Sequence, residues 1–462
     1  MNEPSLSGTE AQPGVGPGNL GGEGGSPHSL TAPAGKAISG ARQEPPLRAL
    51  AFFGPAFLVC VGYMDPGNWA TDLAGGSRFG YRLLWVLLLS NGIALMLQTL
   101  SARLGLVTGK TLAEHCREAY SRRVAIALWI FAEVAIVACD LAELLGGAIA
   151  LQLLFGLSLP LALLITAFDV MLVLALAGRG FRLIEAVIFV LIATIGGCYL
   201  VEILIVRPGW PDVARGLVTP VLPSGSLFIA IGIIGATVMP HNLYLHSDLV
   251  RTRIPEASRY GLRPALRHLF WDTAIALNFA FLVNAAILIM AAGVFHRSDA
   301  AVTEIEQAYR TLSPLLVRLG GSSFAAAIAP LLFAVALFAS GQASSITGTL
   351  AGQSVMEGFL RWKISPILRR LVTRAIAIVP ALAVVFWRGQ EELTALLIFS
   401  QVVLSFQLPF AMVPLVRFAG SRRLMGDLVL SGARKLAVWA AVLLVIGLNV
   451  FLLLQVAGVI RD

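Results

Sequence analysis

Asp65-Pro66-Gly67-Asn68 falls inside an apolar run at about residues 50–74, and Met239-Pro240-His241 falls inside a second at about 226–250. Proline has no amide hydrogen and clashes with the preceding helical turn, so each motif is expected to break its helix and leave carbonyls without intrahelical partners. Inside a bilayer, irregular backbone survives only where protein buries it or where it lines a cavity. Both breaks carry side chains able to ligate a metal, and the pairing points to a cation site between two interrupted membrane helices.

The rest of the composition fits that setting. Of 462 residues, 57% are hydrophobic and 13% charged, too apolar for an ordinary soluble protein of this size. Eleven stretches approach the ~20 apolar residues needed to cross a hydrocarbon core. They lie at about 50–74, 82–104, 123–154, 159–177, 183–206, 226–250, 268–294, 325–347, 371–388, 393–417 and 435–457. The expected class is an all-α integral membrane protein.

A net charge of +8 raises the question of nucleic acid, and the placement of the 34 Lys and Arg residues answers it. With the N-terminus cytoplasmic, 25 of them fall on the cytoplasmic side and 9 on the other. That asymmetry is the positive-inside pattern, with the N-terminus inside and the C-terminus outside. A nucleic-acid patch would instead concentrate charge on one soluble face. The absence of any Asn-x-Ser/Thr acceptor favours a prokaryotic inner membrane.

Residues 1–46 hold 10 Gly and 7 Pro and cannot bury enough surface to offset their ordering entropy, so they are expected to form a disordered cytoplasmic tail. The run Gly21-Gly22-Glu23-Gly24-Gly25 has no strand before it and no helix start after it, so it reads as linker rather than phosphate cradle. Cys60, Cys139 and Cys198 fall within spans and Cys116 in a loop, which gives no disulfide framework. The spans divide as five, five and one. Two repeats of five must insert with opposite orientation, and the broken spans are the first of each half, a pattern that marks a transporter's midplane site. The expected organisation is a first repeat over 47–206, a second over 207–417, and an eleventh helix with the C-terminus over 418–462.

Asp65 lies midway along its span, where an ionisable side chain is costly and functional by default. The competing reading is a helix cap after the break. Asn68, three residues on, offers an amide oxygen to the same place; alone it would more often be a turn residue. Met239 in a plain apolar helix would be a gap-filler, but beside an unwound backbone and opposite a carboxylate its thioether makes a mixed hard and soft site. Soft sulfur suits transition metals, whereas Mg2+ and Ca2+ prefer all-oxygen shells. The carbonyl of Ala236 is freed because Pro240 cannot donate to it.

These residues carry a family resemblance. Gly62-Tyr63-Met64-Asp65-Pro66-Gly67-Asn68 and Gly235-Ala236-Thr237-Val238-Met239-Pro240-His241 resemble the first-helix and sixth-helix motifs of Nramp-type transporters, the proton-coupled manganese and iron importers. The similarity continues through Asp140-Leu141-Ala142-Glu143, Tyr244-Leu245-His246-Ser247 and Ser400-Gln401. It implies a leucine-transporter-like fold, broken at midplane in helices 1 and 6, in which Asp65, Asn68, Met239 and the Ala236 carbonyl bind the metal. Gln401 and the backbone at Gly62 join when the site faces outward. The family often has Ala where this chain has Gly62. Relatives adapted to magnesium or aluminium lack the methionine, which this chain keeps.

Glu133, Asp140 and Glu143 stand seven and three residues apart in the third span, on one helical face. Such a stripe either forms buried salt bridges or conducts protons. Arg369 and Arg370 are available cations, although the positive-inside rule would also place them there. The resemblance assigns the acidic residues and Arg370 to a proton route leading away from the metal. His241, two residues beyond Met239, titrates near neutrality and can relay a proton or hydrogen-bond within the break. His246, five further on, is off that face, which argues against a two-histidine clamp. Thr237, His246, Asn284 and Gln98 are secondary gating candidates, and the two amides suit interhelical hydrogen bonds. Asp169 and Asp272 are expected to pair with neighbours that the sequence does not name.

The expected function is import of Mn2+, with Fe2+, Co2+ and Cd2+, by proton symport and alternating access. The partners are the metal ion, protons and the lipid bilayer around a monomer, with no cofactor and no nucleic acid. A sodium-coupled amino-acid symporter of the same fold is the main alternative, and Met239 argues against it because sodium wants oxygen ligands. An intramembrane metal-dependent hydrolase finds no His-Glu-x-x-His helix, and Glu114-His115-Cys116 sits in a basic loop where a solvated role is expected. A passive channel would use rings or repeated filters rather than one asymmetric site.

Overall fold

The computed structural model describes residues 54–177, 181–296, 304–318, 322–387 and 392–459. The expected disordered tail and its glycine run lie outside them. Among the described residues every regular element is a helix. The first span is α1 (Pro55–Cys60), a 3-10 turn (Gly62–Met64) and α2 (Pro66–Phe79). There follow α3 (Leu84–Thr108), α4 (Leu112–Ala119), α5 (Arg122–Phe155), α6 (Leu159–Ala177), α7 (Phe181–Val206) and α8 (Trp210–Val218). The second broken span is α9 (Leu227–Val238) and α10 (Pro240–Leu249). The chain continues through α11 (Ile254–Tyr260), α12 (Leu262–Val294), α13 (Ile305–Arg318), α14 (Ser323–Leu360) and α15 (Pro366–Trp387) to α16 (Leu393–Ala419), α17 (Arg422–Met425) and α18 (Gly432–Val456).

Nine helices among the described residues are long and apolar enough to cross a bilayer, while Pro55–Met64 and Leu159–Phe168 are apolar but shorter. Within the described residues each of the eleven expected stretches overlaps helix, and several helices run past the expected ends. α14 runs on to Leu360 because it packs against α4. There Gly358 approaches so closely that a methyl on it would fall 2.4 Å from Ala113 Cβ.

Burial separates centre from rim. The broken span from Leu227 onward is 94% buried over its most apolar window, against 28% for α15 and 33% for α7 and for α18. The rim helices present Phe189, Leu204, Val379, Phe386 and Leu443 outward, as a lipid-facing surface requires. α2 packs on α5, α9, α12 and α16, and α10 packs on α3, α14 and α16. The two breaks are therefore enclosed by protein, the condition for irregular backbone at membrane depth.

The loop between α3 and α5 corrects an expectation. Glu114, His115 and Cys116 lie on α4, where His115 and Cys116 are buried rather than solvated. Thr111 and Glu114 form a reciprocal capping box, which nucleates the helix. The four cysteines are free and buried.

Candidate metal site

Pro66 starts α2 at a position where its missing amide hydrogen costs nothing. Asp65 caps the helix from an extended conformation: its Oδ1 accepts from the Asn68 backbone amide at 2.8 Å and from Asn68 Nδ2 at 2.7 Å. Its Oδ2 has no partner, and the residue is fully buried. Asn68 Nδ2 also donates to the Ala236 carbonyl at 3.1 Å. One amide group thus bridges the first break to the carbonyl expected to be freed in the second.

The second break turns on Met239, whose φ of 35° is rare for a residue with a side chain. Its thioether reaches the first break, where a methyl on Gly62 would fall 3.2 Å from Sδ and 2.4 Å from Asn242 Nδ2. Asn242 Nδ2 itself donates to Met239 Sδ at 3.4 Å. Gln401 closes another side: a methyl on Gly67 would overlap its amide at 1.7 Å, and its Oε1 is buried without a partner.

Side chains from surrounding helices satisfy the other interrupted carbonyls. Asn284 Nδ2 donates to the Tyr63 carbonyl at 2.7 Å and to Asn68 Oδ1 at 3.3 Å, and its Oδ1 has no partner. Trp69 Nε1 and Ser340 Oγ donate to the Met64 carbonyl. Gln98 Nε2 donates to the Tyr63 hydroxyl at 2.7 Å, that hydroxyl donates to the Val238 carbonyl at 3.4 Å, and Gln98 Oε1 lies 2.9 Å from His246 Nδ1. Gln98 and Asn284 are interhelical hydrogen-bond formers, as their residue type suggests. Thr237 Oγ1 and His241 Nδ1 are buried and unpartnered. Asp272 accepts from the Gly54 and Ala56 amides at 3.2 and 3.0 Å, which anchors the start of α1. Asp169 lies on α6, and its side chain is outside the described residues.

A second cluster joins α5 to α15. Arg369 grips Glu133 with contacts of 2.8 and 3.1 Å. Arg370 binds Asp140 Oδ1 and reaches Glu143 Oε2 at 2.6 Å. Arg374 donates to the Asp140 carbonyl at 3.1 Å and to Ser345 Oγ at 2.6 Å, and Ser345 donates to Glu143 Oε2 at 3.1 Å. Three carboxylates face three guanidiniums, so the cluster is formally neutral. Glu143 is within electrostatic reach of Asp65, and Asp140 of His241.

The chain matches the family described as natural resistance-associated macrophage protein-like over residues 56–455. This chain belongs to the Nramp family. It is 53% identical over 416 residues to the divalent metal cation transporter MntH of Xanthomonas campestris pv. campestris, covering 89% of this chain and 91% of that one. It is 50% identical over 412 residues to the protein of the same name from Nostoc sp., at 88% and 91% coverage. Among solved structures, the Eremococcus coleocola manganese transporter superposes with a TM-score of 0.79 at 39% identity, covering 89% of this chain and 88% of that one. Mhp1, a nucleobase-cation-symport-1 family transporter, matches at TM-score 0.54 and 17% identity over 83% and 82% of the two chains, a likeness of fold alone.

The Nramp chain is an integral membrane transporter and not an enzyme. Arg374 and Asp72 are among the polar groups that escaped the sequence reading. Arg374 stands one turn beyond Arg370, a spacing that puts both on one face, but the positive-inside rule absorbs arginines there without asking for partners. Asp72, seven residues after Asp65 on α2, is fully buried with both oxygens unpartnered.

Proposed function

We propose that this Nramp protein imports divalent transition metals, Mn2+ foremost and Fe2+, Co2+ and Cd2+ with it, together with protons and by alternating access. Metal ion transport is the activity its relatives are named for, and the pair of breaks supports the finer reading. The observation that carries it is the unpartnered Asp65 oxygen between two helix breaks, with Asn68 tied to the Ala236 carbonyl and a strained Met239 alongside. Strain of this kind persists where the surroundings over-determine it, commonly at functional sites.

The hydrogen bonds suggest how a cation enters. The Asn68 amide hydrogens occupy the space between two oxygens, Asp65 Oδ1 and Ala236 O, that a cation would draw together. Turning the amide over offers Oδ1 to the ion and sends the NH2 group toward Asn284, whose idle Oδ1 can then accept. Among the described residues, no group of three or more His, Cys, Asp or Glu side chains is arranged to hold a metal. One carboxylate with amide, carbonyl and thioether ligands is the set on offer. Its softness favours transition metals over Ca2+ and Mg2+.

A divalent ion beside Asp65 favours the ionised carboxylate and expels its proton. Glu143, Asp140 and Arg370, with His241 adjoining and Glu133 and Arg369 further along, form the route by which that proton leaves. We assign two inverted repeats over 47–206 and 207–417, an eleventh helix over 418–462, a cytoplasmic N-terminus, an external C-terminus, a prokaryotic inner membrane and a monomeric unit. Gly62 and Gln401 complete the shell in the outward-facing state.

Proteoliposome uptake of Mn2+ with Ca2+ and Mg2+ as competitors, across a pH gradient, tests the ligand set. Met239→Ala is expected to retain Mn2+ uptake but to lose rejection of Ca2+ by about tenfold, roughly the 1.4 kcal/mol that one good ligand preference supplies. Discrimination equal to the parent's would remove the role of the thioether.

A further inference from the structure

At the arginine-rich end of the bundle, a cavity of about 380 Å3 opens between α3, α12 and the start of α18. Its size is within the ~300–1,000 Å3 typical of small-ligand pockets. Four arginines line it, Arg103, Arg263, Arg267 and Arg434, and no carboxylate does. Among the described residues none of the four makes an ion pair or side-chain hydrogen bond, and Arg103 Nε is buried without a partner. Arg434 is the charged neighbour of Arg103, so like faces like. Arg263, Arg267 and Arg434 are exposed and Arg103 is half-buried, so the guanidiniums are open to an incoming anion.

Two helix starts add to the positive potential. The first two turns of α12, 33 residues long, supply Arg263 and Arg267, and the first turn of α18, 25 residues long, supplies Arg434. Neither helix has an acidic residue in its first turn or a side-chain cap. Free amides and the aligned dipole at a helix start attract anions. Arginine forks suit phosphate oxygens in particular.

The walls show where the anion comes from. Leu266 and Phe270 line the cavity. Phe270 and Trp271, 40% and 50% exposed, meet edge to face at 5.6 Å. An exposed aromatic pair beside a basic rim is the arrangement found at a membrane–water interface. Basic pockets between helices on the cytoplasmic side suit anionic headgroups, and positive-inside counting puts this end there. We infer that this pocket binds the phosphate of an anionic phospholipid headgroup, with the acyl chains running along the apolar surface beside Phe270. The site is distinct from the metal site and independent of the transport reading.

The test uses the full-length purified protein in neutral detergent, titrated separately with phosphatidylglycerol, phosphatidylcholine and inorganic phosphate, and read by native mass spectrometry and thermal midpoint. Phosphatidylglycerol is expected to form a retained one-to-one adduct and raise the midpoint, and phosphatidylcholine to do neither. Each arginine is expected to contribute about fivefold to affinity, so Arg263→Gln with Arg267→Gln weakens binding roughly 25-fold. Arg434→Gln alone is expected to weaken it about fivefold, which keeps the test open should the double variant fold poorly. Arg422→Gln, at the same end outside the pocket, controls for general surface charge and is expected to leave binding unchanged. Binding of inorganic phosphate as tight as that of the lipid would assign the same anion site to free phosphate. Parent-like lipid binding in the pocket variants, equal weakening by Arg422→Gln, or no preference of either anion over phosphatidylcholine would overturn the inference.

Discussion

Asp65 shows why one side chain can serve two readings that compete in the sequence. A carboxylate has two oxygens: Oδ1 caps α2, and Oδ2 remains available. Cap and ligand were alternatives only while the residue was treated as a single acceptor. Gly62 carries a similar lesson. Where the family often has Ala, the missing methyl of Gly62 admits the Asn242 amide that donates to Met239 Sδ. A hydrogen bond to the sulfur draws on the electron pair a soft metal would use. Gly62→Ala is therefore expected to displace Asn242 and raise the preference for Cd2+ over Mn2+ by about two- to fivefold, the equivalent of one weak hydrogen bond of ~0.5–1 kcal/mol. Asn242→Ala should move the ratio the same way in competitive uptake. An unchanged ratio in both variants would separate Asn242 from the thioether.

At the scale of elements, α5 and α15 are joined by charge. The stripe Glu133, Asp140 and Glu143 was legible because helical periodicity puts spacings of seven and three on one face. What periodicity cannot supply is the facing helix: Arg370 is 230 residues from Asp140 in sequence. Hydropathy likewise located the spans but gave α4 away as a loop, although Thr111 and Glu114 at capping-box spacing were readable. The cluster's neutrality makes its energetics testable. Removing one partner of a buried pair leaves an uncompensated charge and costs about 3–5 kcal/mol, whereas removing both is often close to neutral. Arg370→Gln should therefore lower the thermal midpoint strongly, and adding Asp140→Asn should recover part of the loss. A double variant no more stable than Arg370→Gln alone would show that the two residues are not energetically paired.

In the whole molecule, the interruptions occupy the most buried part of the bundle, and helices with one lipid-facing side surround them. The sequence carried that placement through the paired Pro motifs, because a broken membrane helix must be enclosed. It did not carry the network that ties the breaks together. The line from His246 through Gln98 and Tyr63 to the Val238 carbonyl joins residues up to 175 positions apart, and only the packed fold brings them into register. Transport as proposed requires Asp65 to hold the metal and release a proton in the same step. The most direct measurement is simultaneous Mn2+ uptake and lumenal acidification in proteoliposomes containing the parent or Asp65→Asn. The parent is predicted to couple metal entry to proton entry, and the variant to lose both metal uptake and metal-stimulated proton flux. Metal-stimulated proton flux retained in Asp65→Asn would contradict it.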